Sequence, residues 1–219
     1  MKKAAFVILA IFLLASPVFA QETEVGLAPA GFNAFELVGR IEQQGFTAVG
    51  FGYLNYIRGL PTDQLFAPGT SPLLRGEADA RFTFYGTGTS ASRSVYENIF
   101  AANLPLELTI YYSETPAGAS FDNPDSFKSG TPIATFTMRM ETILNVQEPN
   151  VGVLMAFGES IQSNTAPFTL NSTIYTLGHD NLNHRFSLFG QGFRQVEEPV
   201  QAFYIVGGNA MITGSGIQP

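Results

Sequence analysis

From Ala34 onward, Phe35, Leu37, Gly39 and Ile41 alternate with Glu36, Val38, Arg40 and Glu42. A period of two sends one set to each face of the backbone, which is the pattern of a half-buried strand. Gln43-Gln44-Gly45 supplies a turn, and Phe46 to Ile57 reads as a second strand. Further strands are predicted at Ala80 to Gly88, Leu106 to Ser113, Ile133 to Val146, Val151 to Glu159, Phe168 to Leu177, Arg185 to Arg194, Ala202 to Val206 and Ala210 to Thr213. Clusters of Pro, Asn, Asp and Gly separate them. Arg58 to Gly76 and Glu114 to Pro132 are expected as long loops. Ser94-Val95-Tyr96-Glu97 has the spacing of a helix capping box, although the same residues would serve as a strand. Nine or ten strands with almost no helical periodicity predict an all-β antiparallel fold, a barrel or a sandwich. Gly50 and Gly52 lie inside a strand. Glycine there marks a bend or a close backbone approach, as barrel closure needs, so the barrel is the preferred architecture.

The first 20 residues read as an export signal. Lys2 and Lys3 precede an apolar run from Ala4 to Ala15, and Val18-Phe19-Ala20 offers small residues at −3 and −1, predicting cleavage after Ala20. The apolar run is shorter than the roughly 20 residues a membrane-spanning helix requires. The mature chain is expected to comprise a flexible segment at 21–32 and a single barrel domain at 33–219. A secreted or periplasmic location follows. There is no cysteine, which excludes disulfides, a lipid-anchored cysteine, thiolate metal sites and a cysteine nucleophile.

Charged residues make up 13% of the chain, about half the usual share, while 45% are hydrophobic. That balance supports a sizeable core and excludes a disordered tail or a coiled coil. Removing Lys2 and Lys3 from the formal charge of −7 leaves −9, with Lys128 the one remaining lysine. An acidic, lysine-poor surface repels phosphate backbones and anionic headgroups. Nucleic-acid partners are excluded on this ground, and membrane binding is disfavoured.

One internal echo stands out. Arg81-Phe82-Thr83-Phe84-Tyr85-Gly86-Thr87-Gly88 and Arg185-Phe186-Ser187-Leu188-Phe189-Gly190-Gln191-Gly192 share the order Arg, Phe, hydroxyl, apolar, aromatic, Gly, polar, Gly. Either a half-barrel was duplicated, or two strands at equivalent corners need the same bend and packing. The second reading is preferred.

The residues able to carry chemistry are few. His179 and His184, the only histidines, flank the turn Asp180-Asn181-Leu182-Asn183. A hairpin would set them across from each other, within reach of one metal with Asp180 as third ligand, or would leave one imidazole as a general base. Turn-forming residues at an exposed loop tip account for the same run, and that reading is preferred. Ser120 to Ser126 clusters carboxylates as a calcium loop does, but lacks EF-hand spacing and reads as an Asx-Pro turn. Glu197-Glu198-Pro199 reads as a solvated turn, and Asn171-Ser172-Thr173 is a formal glycosylation sequon. There is no Gly-x-Ser-x-Gly elbow, P-loop or dinucleotide fingerprint. No catalytic residue and no cofactor is assigned.

The run Ile205-Val206-Gly207-Gly208-Asn209-Ala210-Met211-Ile212-Thr213-Gly214-Ser215-Gly216 resembles the terminal glycine-rich strand pair of allene oxide cyclases and dirigent proteins. Asn209-Ala210 stands where that family has Thr-Gly. The resemblance implies an eight-stranded barrel. The family's catalytic residues find no counterpart elsewhere in the chain.

Three functions compete. Twenty Phe, three of them in the leader, and eight Tyr suit a non-catalytic barrel that binds a small apolar or aromatic ligand or a protein partner, which is the preferred reading. A cyclase- or dirigent-like enzyme is implied only by the resemblance. A small outer-membrane barrel is permitted by strand number, but the Ser215-Gly216-Ile217-Gln218-Pro219 end and the absence of Trp argue against it.

Overall fold

A computed structural model describes residues 22–214. The predicted leader, its cleavage point and the last residues of the glycine-rich run lie outside them. The strands are β1 (Thr23–Val25), β2 (Asn33–Gln44), β3 (Thr47–Ile57), β4 (Phe82–Thr89), β5 (Ser92–Tyr96), β6 (Ile99–Tyr112), β7 (Thr131–Glu148), β8 (Val151–Thr165), β9 (Phe168–Leu170), β10 (Thr173–Leu177), β11 (Asn183–Val196) and β12 (Gln201–Gly214). Helical structure among the described residues is limited to short 3-10 turns.

Eight strands form a closed antiparallel barrel in the order β2, β3, β4, β6, β7, β8, β11, β12, with β12 returning to pair with β2. Closure excludes the sandwich. Counting the barrel strands alone, each neighbour in the ring is also the next along the chain, apart from the closing pair. β5 is a short hairpin flap on the far end of β6, where Ser92 to Tyr96 pair with Ile99 to Asn103. The capping-box residues Ser94 to Glu97 thus enter a strand and its turn rather than a helix. Their side chains are exposed, so no apolar stripe was available to hold a helix against the barrel.

The two barrel ends differ. At one end the connections are short: residues 45–46, 149–150 and 197–200, together with the β5 flap. At the other end lie all the long ones, residues 58–81, 113–130 and 166–182, and the residues leading into β2. This second end is covered. β1 runs parallel to β10, which pairs with β9, and this small sheet lies over it. Val25, Leu60, Leu65, Phe66, Leu170 and Leu177 add their side chains to the barrel core from these connections. In the segment 21–32, expected as a flexible one, residues 22–24 and 29–32 are exposed, while two points of contact tie it to the barrel. Val25 is buried in the β1–β10 pair, and the Gly31 amide donates to the Ile212 carbonyl at 2.8 Å.

Alternation decides what fills the barrel. Phe35 and Leu37 face inward from β2, Phe82 and Phe84 from β4, Phe136 and Met138 from β7, and Phe186 from β11, all in one core. Glu36, Arg40, Glu42, Glu141 and Arg185 face outward. Apolar inside and charged outside is the reverse of the pattern in lipid-facing barrels.

Glycines inside strands sit mostly where the pleat brings backbones together. A Cβ on Gly208 would collide with the Ser187 carbonyl oxygen, and one on Gly190 with that of Ile205. This explains two boundaries. Ala202 to Val206 and Ala210 to Thr213, expected as separate strands, are one strand, β12, because Gly207-Gly208 continues the ladder instead of breaking it. Phe168 to Leu177, expected as one strand, is two, because Asn171 and Ser172 adopt left-handed φ values of 50° and 66° and turn the chain. The echoed octapeptides fall on β4 and β11, which are half a turn apart in the ring of eight. Both copies place their two glycines on the inner face, which fits equivalent corners with equivalent crowding.

The long 113–130 connection is not merely a polar loop. Phe51 faces out from β3 yet is fully buried, because Phe127 and Phe121 from this loop pack on it with ring centroids 5.3 and 6.1 Å away. Thr83 on β4 anchors the loop by donating to the Phe127 carbonyl at 2.7 Å.

Candidate functional site

The barrel interior is not uniformly filled. In its short-turn half, Gly50, Gly86 and Gly88 leave the β3–β4 wall without side chains, and a void of about 70 Å³ lies against them. Leu37, Ile41, Phe84, Leu106, Met138 and Met140 are among its lining residues, and the surface they present is almost wholly apolar. Gly50 borders open space: a Cβ there would meet only Ile41 Cγ1, at 3.8 Å. Beyond the void towards the short turns, Leu154, Ala202, Tyr204 and Val206 form a second small core, and Tyr204 donates its hydroxyl to Gln43 Oε1 at 2.7 Å. Burial pushes the Tyr204 phenol above its ordinary pKa, so it stays a neutral donor.

Towards the covered end the interior becomes aromatic and then polar. Phe35, Phe136 and Phe186 meet with centroids 5.7 to 6.0 Å apart. His184 lies against all three, 5.4 Å from Phe136 and 6.1 Å from Phe35. Register pairs His184 with Ser160 on β8, and Ser160 with Met138 on β7. Gln162 follows two residues along β8, on the same inner face. Its Nε2 donates to the Leu177 carbonyl at 2.7 Å and to Thr165 Oγ1 at 2.9 Å, tying the covering segment to the barrel. Ser160, Gln162 and His184 are exposed by only 3%, 0% and 2%. Ser160 Oγ, Gln162 Oε1 and His184 Nδ1 have no hydrogen-bond partner in the protein. Burial pushes the His184 imidazole down to about 4, a backbone hydrogen bond to Leu182 opposing and the nearby His179 adding slightly, so the ring is neutral at neutral pH.

The candidate metal ligands His179, Asp180 and His184 are therefore distributed differently from the expected hairpin. β10 pairs with β1 and β9, whereas β11 pairs with β8 and β12, so the strands flanking the turn do not face each other. His179 stays on the turn with Nδ1 3.0 Å from the Asp180 carbonyl, and Asp180 is exposed. His184 has turned inward to the core. Among the described residues, no three or more His, Asp or Glu side chains are grouped to hold a metal ion.

The other loops resolve as turns. Ser126 Oγ receives the Ser120 amide and donates to the Asn123 carbonyl, while Asp125 pairs with Lys128 at 2.7 Å. Glu197 and Glu198 sit on the exposed β11–β12 connection, and Asn171 is exposed at the β9–β10 turn. On the outer wall, Met155, Phe189 and Ile205 are exposed by 39%, 63% and 56%, and register sets Met155 beside Phe189.

Sequence reasoning missed Ser160 and Gln162. Their signal was parity: both share the inner face of Leu154 and Ala156, but the polar run Glu-Ser-Ile-Gln-Ser-Asn ended the predicted strand at Glu159. Comparisons with models of protein families, with curated proteins and with solved structures find no match to this chain.

Proposed function

We propose that this protein is a non-catalytic binding module that takes a slender apolar ligand into the short-turn half of its barrel. The observation that carries the reading is the void against Gly50, Gly86 and Gly88, lined mainly by aliphatic, aromatic and thioether groups, with Arg40, Thr87 and Thr142 at its border. Its roughly 70 Å³ is less than the ~150 Å³ cavity that admits a benzene ring, so an alkyl chain fits better than a ring system. Met138 and Met140 are unbranched and flexible, and can make way along the chain. The leader-like residues 1–20 support placing the module in a secreted or periplasmic setting.

Thermal melts followed by circular dichroism, with straight-chain alcohols from hexanol to decanol, test this. The melting temperature of the mature chain rises with ligand concentration, and the rise is lost in Gly50→Leu, whose side chain enters the void. No shift with any of these alcohols would overturn the reading. Recovering the bound molecule chemically unchanged separates this module from a cyclase- or dirigent-like enzyme, which would release an altered product.

A further inference from the structure

The void and the polar layer are served by the same strand. Along the inner face of β8 the order is Leu154, Ala156, Gly158, Ser160, Gln162. Ala156 lines the void, and Ser160 and Gln162 carry two of the polar layer's three unpartnered atoms. Between them Gly158 has no side chain, and the Met140 sulfur lies over it, 2.7 Å from where a Cβ would stand. A thioether with three rotatable bonds is a movable partition.

We propose that Ser160, Gln162 and His184 form a head-group site for a neutral hydroxyl, so that the ligand is a long-chain aliphatic alcohol with its tail in the void. The inference rests on the apolar-tail reading above. Buried polar atoms without partners are rare and costly, about 1–3 kcal/mol each, and three of them stand at neighbouring inward positions of β8 and β11. The donor and acceptor pattern fits a hydroxyl. Gln162 Nε2 is already engaged, so Oε1 is left to accept. An alcohol O–H donates to that oxygen or to His184 Nδ1, the bare nitrogen of a neutral ring whose other nitrogen donates to the Leu182 carbonyl, and receives from Ser160 Oγ–H. A carboxylate fits poorly. The inward positions of the polar layer itself carry no Lys or Arg, Arg40 and Arg194 lying in the other half of the barrel, and a neutral imidazole offers no positive charge. A bare alkyl chain leaves the three atoms unpaired.

The test uses three probes of one length: 1-octanol, 1-fluorooctane and octanoate. Each is titrated calorimetrically at pH 7.5 into the mature chain and into Ser160→Ala, a substitution that removes one atom and leaves the core closed. Octanol binds at least tenfold more tightly than fluorooctane to the parent chain, and the ratio falls severalfold in Ser160→Ala. The His184 ring nitrogens, followed by ¹⁵N NMR, shift with octanol and not with fluorooctane. His184→Phe, matched to its aromatic surroundings, repeats the loss of discrimination if Ser160→Ala folds poorly. Equal binding of octanol and fluorooctane, with no change at His184, would mean the layer holds only internal water. The head-group site then falls while the tail reading stands. Tighter binding of octanoate would overturn the neutral head group, and failure of all three probes to bind would remove both readings.

Discussion

Lowering the pH from 7.5 to 4.5 should destabilise this barrel through His184 in particular. The imidazole is packed among Phe35, Phe136 and Phe186, and burial holds its pKa near 4, against about 6.5 in an unfolded chain. The folded state therefore takes up a proton less readily than the unfolded one. A group depressed in this direction contributes its full stabilisation above about pH 6.5. It loses about 1.4 kcal/mol for each pH unit below that, and the loss levels off near pH 4. By pH 4.5 it amounts to about 2.5 kcal/mol, a large part of an ordinary folding free energy. Urea unfolding followed by far-ultraviolet circular dichroism at pH 7.5, 6.5, 5.5 and 4.5 measures it, with His184→Phe as reference. Carboxylates titrate alike in both proteins and cancel in the difference. The parent chain should lose about 2.5 kcal/mol relative to the variant over this range. A difference that stays flat to within about half a kcal/mol would show that the ring is hydrated or partnered in solution, and the account of its burial would be wrong.

Other substitutions probe the packing. Gly50→Ala places a methyl group in free space against Ile41 and should raise stability by up to about 1 kcal/mol in urea unfolding, because alanine has less freedom to lose. Gly208→Ala drives a Cβ into the Ser187 carbonyl and should cost at least about 2 kcal/mol by the same assay. Phe127→Ala uncovers Phe51 and should cost about 3 kcal/mol while speeding proteolysis within residues 113–130.

The barrel was legible because alternation along β2, β4 and β7 leaves no doubt about which face is apolar, and because glycines within strands pointed to tight coiling. What alternation could not show is an outward residue that is nevertheless buried. Phe51 has the parity of a surface position, and only a loop more than 60 residues later covers it. The two histidines illustrate a different limit. His184 shares the parity of Phe186 and Leu188, so its inward direction was written in the strand. Reading it as a turn residue gave the local Asp-Asn-Leu-Asn composition precedence over that parity. Ser160 and Gln162 were lost the same way, since polar residues on an inner face look like the end of a strand. The void depends on three glycines from two strands and has no local signature at all.

Seven of the eight seams in this ring join strands that follow one another among the barrel strands, but the last joins β12 to β2, pairing Gln201 with Gln44 and Met211 with Asn33. That seam cannot form until almost the whole domain is in place. Until then, β2 offers a bare edge from the start of the domain, and the newest strand offers another. Open edges of this kind pair with whatever strand comes near, including those of a neighbouring chain. The long sequence separation also makes closure the slow step. The vulnerable stage in the life of this protein is therefore the unclosed ribbon, and a fragment ending before Gln201 should associate with itself rather than fold alone.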